Sequence, residues 1–209
     1  KVLANTDEFG TLKTVTFYRG CYTCDDIPGV WVSKDFGQAG PFCFGMTIEG
    51  EAVSLCSGSL PCQSALAENL FPRAVFTHPS LTATVLAYAP VSADGKTRPR
   101  ALIYGLYLEN TTEGDVSGTV IPPEFSPNSD YFTIPDASGK MVECETMVEC
   151  GKKAKCVPFH LKKGCGQWFP MVIYAPGETD AVKVIEAAGT LHWLNETLAY
   201  FRGMLGNLT

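Results

Sequence analysis

Thr82-Ala83-Thr84-Val85-Leu86-Ala87-Tyr88-Ala89, then Ala101-Leu102-Ile103-Tyr104-Gly105-Leu106-Tyr107-Leu108 after a proline- and glycine-containing interval, are the two runs whose reading decides the fold. Both are short and rich in β-branched and aromatic side chains, and turn-forming residues bound them, which is how strands are written in sequence. The same texture extends outward from Val15 to Tyr174, with Gly, Pro, Asn and Asp clusters at short intervals. Further strands are expected at Thr14–Tyr18, Val30–Ser33, Phe42–Ile48, Ala74–Thr77, Val116–Ile121, Tyr131–Ile134, Lys155–Leu161 and Trp168–Ala175. Gln63–Asn69 reads as one short helix. Residues 1–13 read as an irregular N-terminal arm. Pro122, Pro123 and Pro127 make residues 122–130 a rigid loop, because proline lacks a donor and holds φ fixed.

After Pro176-Gly177 the period changes. Val184, Ala187, Ala188, Leu191, Leu194, Leu198, Phe201 and Leu205 recur at helical spacing, predicting a C-terminal helix within 178–206. Gly189 interrupts it, and a helix beginning only at Thr190, with a strand at Ala181–Glu186, fits the same residues. The expected architecture is one mainly β domain over 1–209, an antiparallel barrel or sandwich with a C-terminal α-helix, stapled by disulfides.

The 209 residues suffice for one sizeable core, and an apolar fraction of 45% with twelve Phe, eight Tyr and three Trp excludes wholesale disorder. Sixteen Lys and Arg against twenty-two Asp and Glu give a net charge of −6, the wrong sign for a chain that neutralises phosphates, so nucleic acid is not an expected partner. Lys152, Lys153, Lys155, Lys162 and Lys163 form a basic cluster, read as a solvated face before a docking site for an acidic partner.

Nine cysteines fall in two groups: Cys21, Cys24, Cys43, Cys56 and Cys62, then Cys144, Cys150, Cys156 and Cys165. Irregular spacing in loop-like sequence points to disulfides made in an oxidising compartment. Zinc is the competing reading, with Cys144, Cys150, Cys156, His160 and Cys165 as ligands, but the tight C-x-x-C pairs of structural zinc sites are missing from that group. No metal is expected. Nine being odd, at least one thiol stays free or bonds another chain.

The sequons at Asn110, Asn195 and Asn207 agree with a secretory route, and a glycan at any of them requires a surface position. The expected location is secreted or lumenal. The numbering would then start after removal of a signal peptide, and membrane attachment stays undecided because the chain could be the ectodomain of a longer anchored protein.

Gly29-Val30-Trp31 resembles the N-terminal G-x-W of lipocalins, and Ser129-Asp130-Tyr131 is similar to their T-D-Y motif. Trp168–Ala175 with the helix behind it is similar to their last strand and packed helix. The resemblance implies an eight-stranded barrel holding one small apolar ligand, with Trp31 closing its base. A second resemblance starts from Thr14–Gly20 leading into Cys21-x-x-Cys24, which resembles the entry of thioredoxin-like oxidoreductases, and Phe169-Pro170 is similar to their cis-proline strand. It implies thiol–disulfide exchange with Cys21 attacking and Cys24 resolving.

Other constellations are bland. His78, His160 and His192 lack metal-ligand spacing, Ser57-Gly58-Ser59 lacks the frame of a nucleophile elbow, and no glycine-rich phosphate loop or cofactor motif is present. Glu143, Glu145 and Glu149 sit beside cysteines without the shape of an acid–base pair. The sequence therefore favours a non-enzymatic binding protein for a small apolar ligand or a protein partner, with a thioredoxin-like oxidoreductase as the alternative.

Overall fold

The computed structural model describes residues 2–19, 33–56, 58–68, 70–123, 132–133, 142–145, 153–174, 183–184, 187 and 190–206. They are mainly strand, in three antiparallel sheets, with one helix at the C-terminal end. The first sheet joins β1 (Val2–Thr6), β2 (Leu12–Arg19) and β3 (Ser33–Phe42) in that order.

The second sheet is built from β4 (Gly45–Ile48), β5 (Glu51–Ser54), β10 (Val116–Ile121), β12 (Val142–Glu145) and β13 (Lys153–Leu161), in the order β12-β13-β10-β4-β5. The third contains β6 (Cys62–Ala67), β7 (Phe71–Thr77), β8 (Leu81–Tyr88), β9 (Ala101–Asn110), β11 (Phe132–Thr133) and β14 (Gly166–Tyr174), in the order β11-β14-β9-β8-β7-β6.

Strand β9 explains the placement of the core. Ala101 to Leu106 are all buried, without the alternation of a half-exposed strand, because both faces are covered. Leu102, Tyr104, Leu106 and Leu108 enter a cluster shared with Met46 and Ile48 of β4, Val120 of β10 and Phe159 of β13. Ala101 and Ile103 face the other way and join a second cluster with Trp193 of the helix α1 (His192–Gly206). Phe44 stacks on Tyr104 with centroids 5.0 Å apart. The Tyr104 hydroxyl donates to the Gly10 carbonyl at 2.9 Å, with the Phe42 carbonyl 3.2 Å away as a second acceptor, and so ties the first sheet to the third.

Two of the crossings between the second and third sheets share a corner. The β9–β10 loop and the β13–β14 loop meet there, and Asn110 joins them. Its amide nitrogen donates to the carbonyls of Gly114 (2.7 Å) and Leu161 (2.9 Å), its side-chain oxygen accepts from the amide and hydroxyl of Thr112 (2.8 and 2.9 Å), and its backbone amide donates to Cys165 (3.0 Å). Lys163 pairs with Glu113 just outside.

Two expectations are corrected. Residues 2–6 and 12–13 belong to β1 and β2 instead of an irregular arm, since β1 pairs along β2 from Val2↔Phe17 to Thr6↔Leu12. Gln63–Asn69 is no helix: residues up to Ala67 form β6, paired with β7 from Cys62↔Phe76 to Ala67↔Phe71. Its Ala, Leu and Glu favour a helix locally, but the edge of the sheet supplies backbone partners that a short solvent-exposed helix would lack. Within the helix expected over 178–206, the described residues form α1 from His192 to Gly206. Thr190 caps it, its hydroxyl accepting from the His192 amide at 3.2 Å. Residues 183–184 and 187 are also helical.

Candidate functional site

Helix α1 lies on the outer face of the third sheet because its apolar stripe matches the outward side chains there. Trp193, Leu194, Leu198 and Phe201 pack on Phe71, Tyr88, Ile103 and Val172. Polar contacts then fasten it. Thr197, fully buried, accepts from the Val91 amide at 3.1 Å and donates to the Trp193 carbonyl at 2.6 Å, with the Val91 carbonyl 3.3 Å away. Glu196 accepts from the Ala93 amide at 2.8 Å. Arg98 donates to the Tyr200 hydroxyl at 2.7 Å. Near the other end Arg202 and Glu68 form a two-pronged ion pair, with Nε to Oε2 at 2.9 Å.

Along one flank the contact between helix and sheet is open, leaving a cleft of about 310 Å³. Leu191, Leu194 and Leu198 form the helix wall; Phe71, Leu86 and Trp168 form the floor. Thr84 and Tyr107 bring neutral hydroxyls, and Glu68 and Arg73 stand at the rim.

Two glycines shape this floor. A Cβ on Gly105 would lie 2.0 Å from the Trp168 ring, so the indole leans diagonally over Gly105, whose direct partner on the neighbouring strand is Pro170. A Cβ on Gly166 would lie 2.1 Å from the Tyr107 hydroxyl, placing that ring across Gly166 in the same way. Glycine in a strand interior costs backbone entropy, and here the absence of side chains lets two aromatic rings lie flat against the sheet. Upright rings would occupy the space beneath the helix.

The rim charges are unequal in their commitments. Glu68 is held by Arg202. Arg73, exposed on β7 opposite Leu86, makes no ion pair or side-chain hydrogen bond among the described residues.

The predicted site residues are scattered. Cys21, Cys24, Trp31, Cys150 and Asn207 lie outside the described residues, as do Ser129-Asp130-Tyr131. Pro170 is buried within β14, paired with Gly105, and its preceding peptide bond is trans, unlike the cis-proline of the thioredoxin-like resemblance. Cys43 and Cys56 are disulfide-bonded, and Cys156 is disulfide-bonded as well. Cys144 lies on β12. Cys62 and Cys165 are free thiols, the latter exposed in the β13–β14 turn. Burial, and then the Asp7 carboxylate, push the Cys62 thiol up, away from nucleophilic character.

Asn195 is exposed on α1, off the buried stripe. Asn110 corrects the expectation of a solvent position: it is 2% exposed and its amide is fully engaged in hydrogen bonds, so this sequon has no room for a glycan in the folded chain. Among the histidines, His160 bonds Ser117 and approaches Asp115, while His78 accepts from the Ser80 amide.

The helix half of the cleft was visible in the stripe Leu191, Leu194 and Leu198. The sheet half was missed; the signal that could have found it is a glycine two residues off, on the diagonal, from an aromatic of the paired strand. Comparison of the sequence with models of protein families and with characterised proteins finds no match.

Proposed function

We propose that this chain is a non-enzymatic binding protein of the secretory pathway, and that the cleft between α1 and the third sheet holds a small apolar ligand. The cleft itself carries the reading. Its volume falls at the small end of the range usual for ligand sites, its walls are aliphatic and aromatic, and a few hydroxyls and charges converge on it. The supporting scaffold is read as a sandwich, because inward side chains from the second and third sheets meet in one core and the chain changes sheet at a shared corner. In this arrangement the ligand sits outside the sheets, under the helix, instead of in a barrel mouth. The Cys43–Cys56 disulfide and the bonded Cys156 support an oxidising compartment, and among the described sequons Asn195 is the one on which a glycan is compatible with packing.

The test is titration of the neutral fluorophore N-phenyl-1-naphthylamine. Saturable binding is expected, weakened at least tenfold by Leu194→Lys in the cleft and unchanged by Leu66→Lys on exposed β6. Absence of saturable binding, or equal binding by both variants, would defeat the proposal.

A further inference from the structure

We infer that the ligand of this cleft is an amphiphile with a carboxylate head, which Arg73 binds at the rim while the apolar tail lies between Trp168 and Leu194. This rests on the reading of the cleft as a ligand site and goes beyond it by naming the chemistry of the head group.

The inference stands on the juxtaposition of a cavity with one uncommitted charge. The polar side-chain groups of the interior, the Thr84 and Tyr107 hydroxyls and the Trp168 indole, are all neutral, so the walls select an apolar body without selecting any charge. At the rim Glu68 is neutralised by its two bonds from Arg202, so it neither repels an anion strongly nor attracts a cation. Arg73 alone at this rim keeps its donors unused among the described residues. A guanidinium presents paired N–H groups in a plane, which matches the two oxygens of a carboxylate and favours a bidentate contact. The rim position also lets the head group remain partly hydrated, so binding does not require a charge to be buried. A neutral ligand of equal length would fill the walls and leave Arg73 in water.

Isothermal titration with decanoate and with 1-decanol, both below their aggregation limits, separates the possibilities. The wild-type chain should bind decanoate about two- to fivefold more tightly than decanol, the size expected for one solvent-exposed ion pair. Arg73→Gln should remove that preference while leaving decanol affinity unchanged, and Arg73→Lys should restore part of it. Arg73 is exposed, so these substitutions leave the fold intact. Equal affinity for both ligands in the wild type would overturn the inference and leave the cleft as a site for neutral apolar molecules. A decanoate preference that persists in Arg73→Gln would overturn it too, since the anion would then be held elsewhere. No binding of either ligand would overturn both the inference and the function proposed above.

Discussion

Replacing Asn110 by alanine removes the four side-chain hydrogen bonds that join the two loops at the sheet-crossing corner. Their fates differ. Gly114 is exposed, so water can take over its carbonyl. The Leu161 carbonyl and the Thr112 amide lie closer in, and each loses its partner with no replacement side chain. An unsatisfied buried polar group costs about 1–3 kcal/mol. Allowing partial access of water to Thr112, the loss should total about 2–4 kcal/mol. Equilibrium urea unfolding under non-reducing conditions measures it as a lower midpoint at unchanged slope. Asn110→Asp should be at least as damaging at neutral pH, because its carboxylate would face two carbonyl oxygens with no hydrogen to donate. A loss below about 0.5 kcal/mol for Asn110→Ala, the range of an ordinary surface substitution, would refute the assignment of Asn110 as the corner's connector. So would a glycan found on Asn110 of a folded, secreted chain.

Other consequences follow from residues on the same scaffold. Burial raises the Asp7 carboxyl, but bonds from Lys13 and the amides of Thr11 and Phe9 outweigh it and hold the group below its ordinary value. The folded value being lower than the unfolded one, this stabilisation is complete above the unfolded value and fades as pH falls through the folded one. The stability gap between wild type and Asp7→Asn should therefore be present at pH 6 and shrink below about pH 4, as read by urea midpoints across pH; a gap that widens in acid would contradict the sign. Removing the Cys43–Cys56 bond by a double serine substitution should cost about 3 kcal/mol, since it closes a short loop with a sequence separation of 13. Gly105→Ala drives a methyl into the Trp168 ring and should cost about 1–3 kcal/mol, with a shift in tryptophan emission and weaker fluorophore binding; an unchanged spectrum would refute the flat placement of the indole.

Much of the strand pattern was legible because strand propensity and turn residues agreed locally. Ala101–Leu108 and Thr82–Ala89 fall within β9 and nearly match β8, yet neither could reveal which face met which layer, since both faces of β9 are apolar. Gln63–Asn69 was misread for the opposite reason: helix-forming residues took strand geometry because β7 offered its edge. Ile48-Glu49-Gly50-Glu51 is a tight hairpin with positive φ at Glu49 and Gly50, a turn that Glu-Gly announces only weakly beside the stronger Asn-Gly signal. At Asn110 a sequon and a turn-forming asparagine share one spelling, and only the tertiary setting shows that the side chain serves the turn. The cleft was half visible. The helical stripe supplied its upper wall, while the floor depends on diagonal cross-strand contacts, Trp168 over Gly105 and Tyr107 over Gly166, that join residues about 60 positions apart.

A crystal structure of the protein grown with decanoate tests the central claim most directly. The account predicts the alkyl chain between Leu194 and Trp168 with its carboxylate at the Arg73 guanidinium. An empty or collapsed cleft at saturating ligand, or the ligand bound between the sheets, would contradict it.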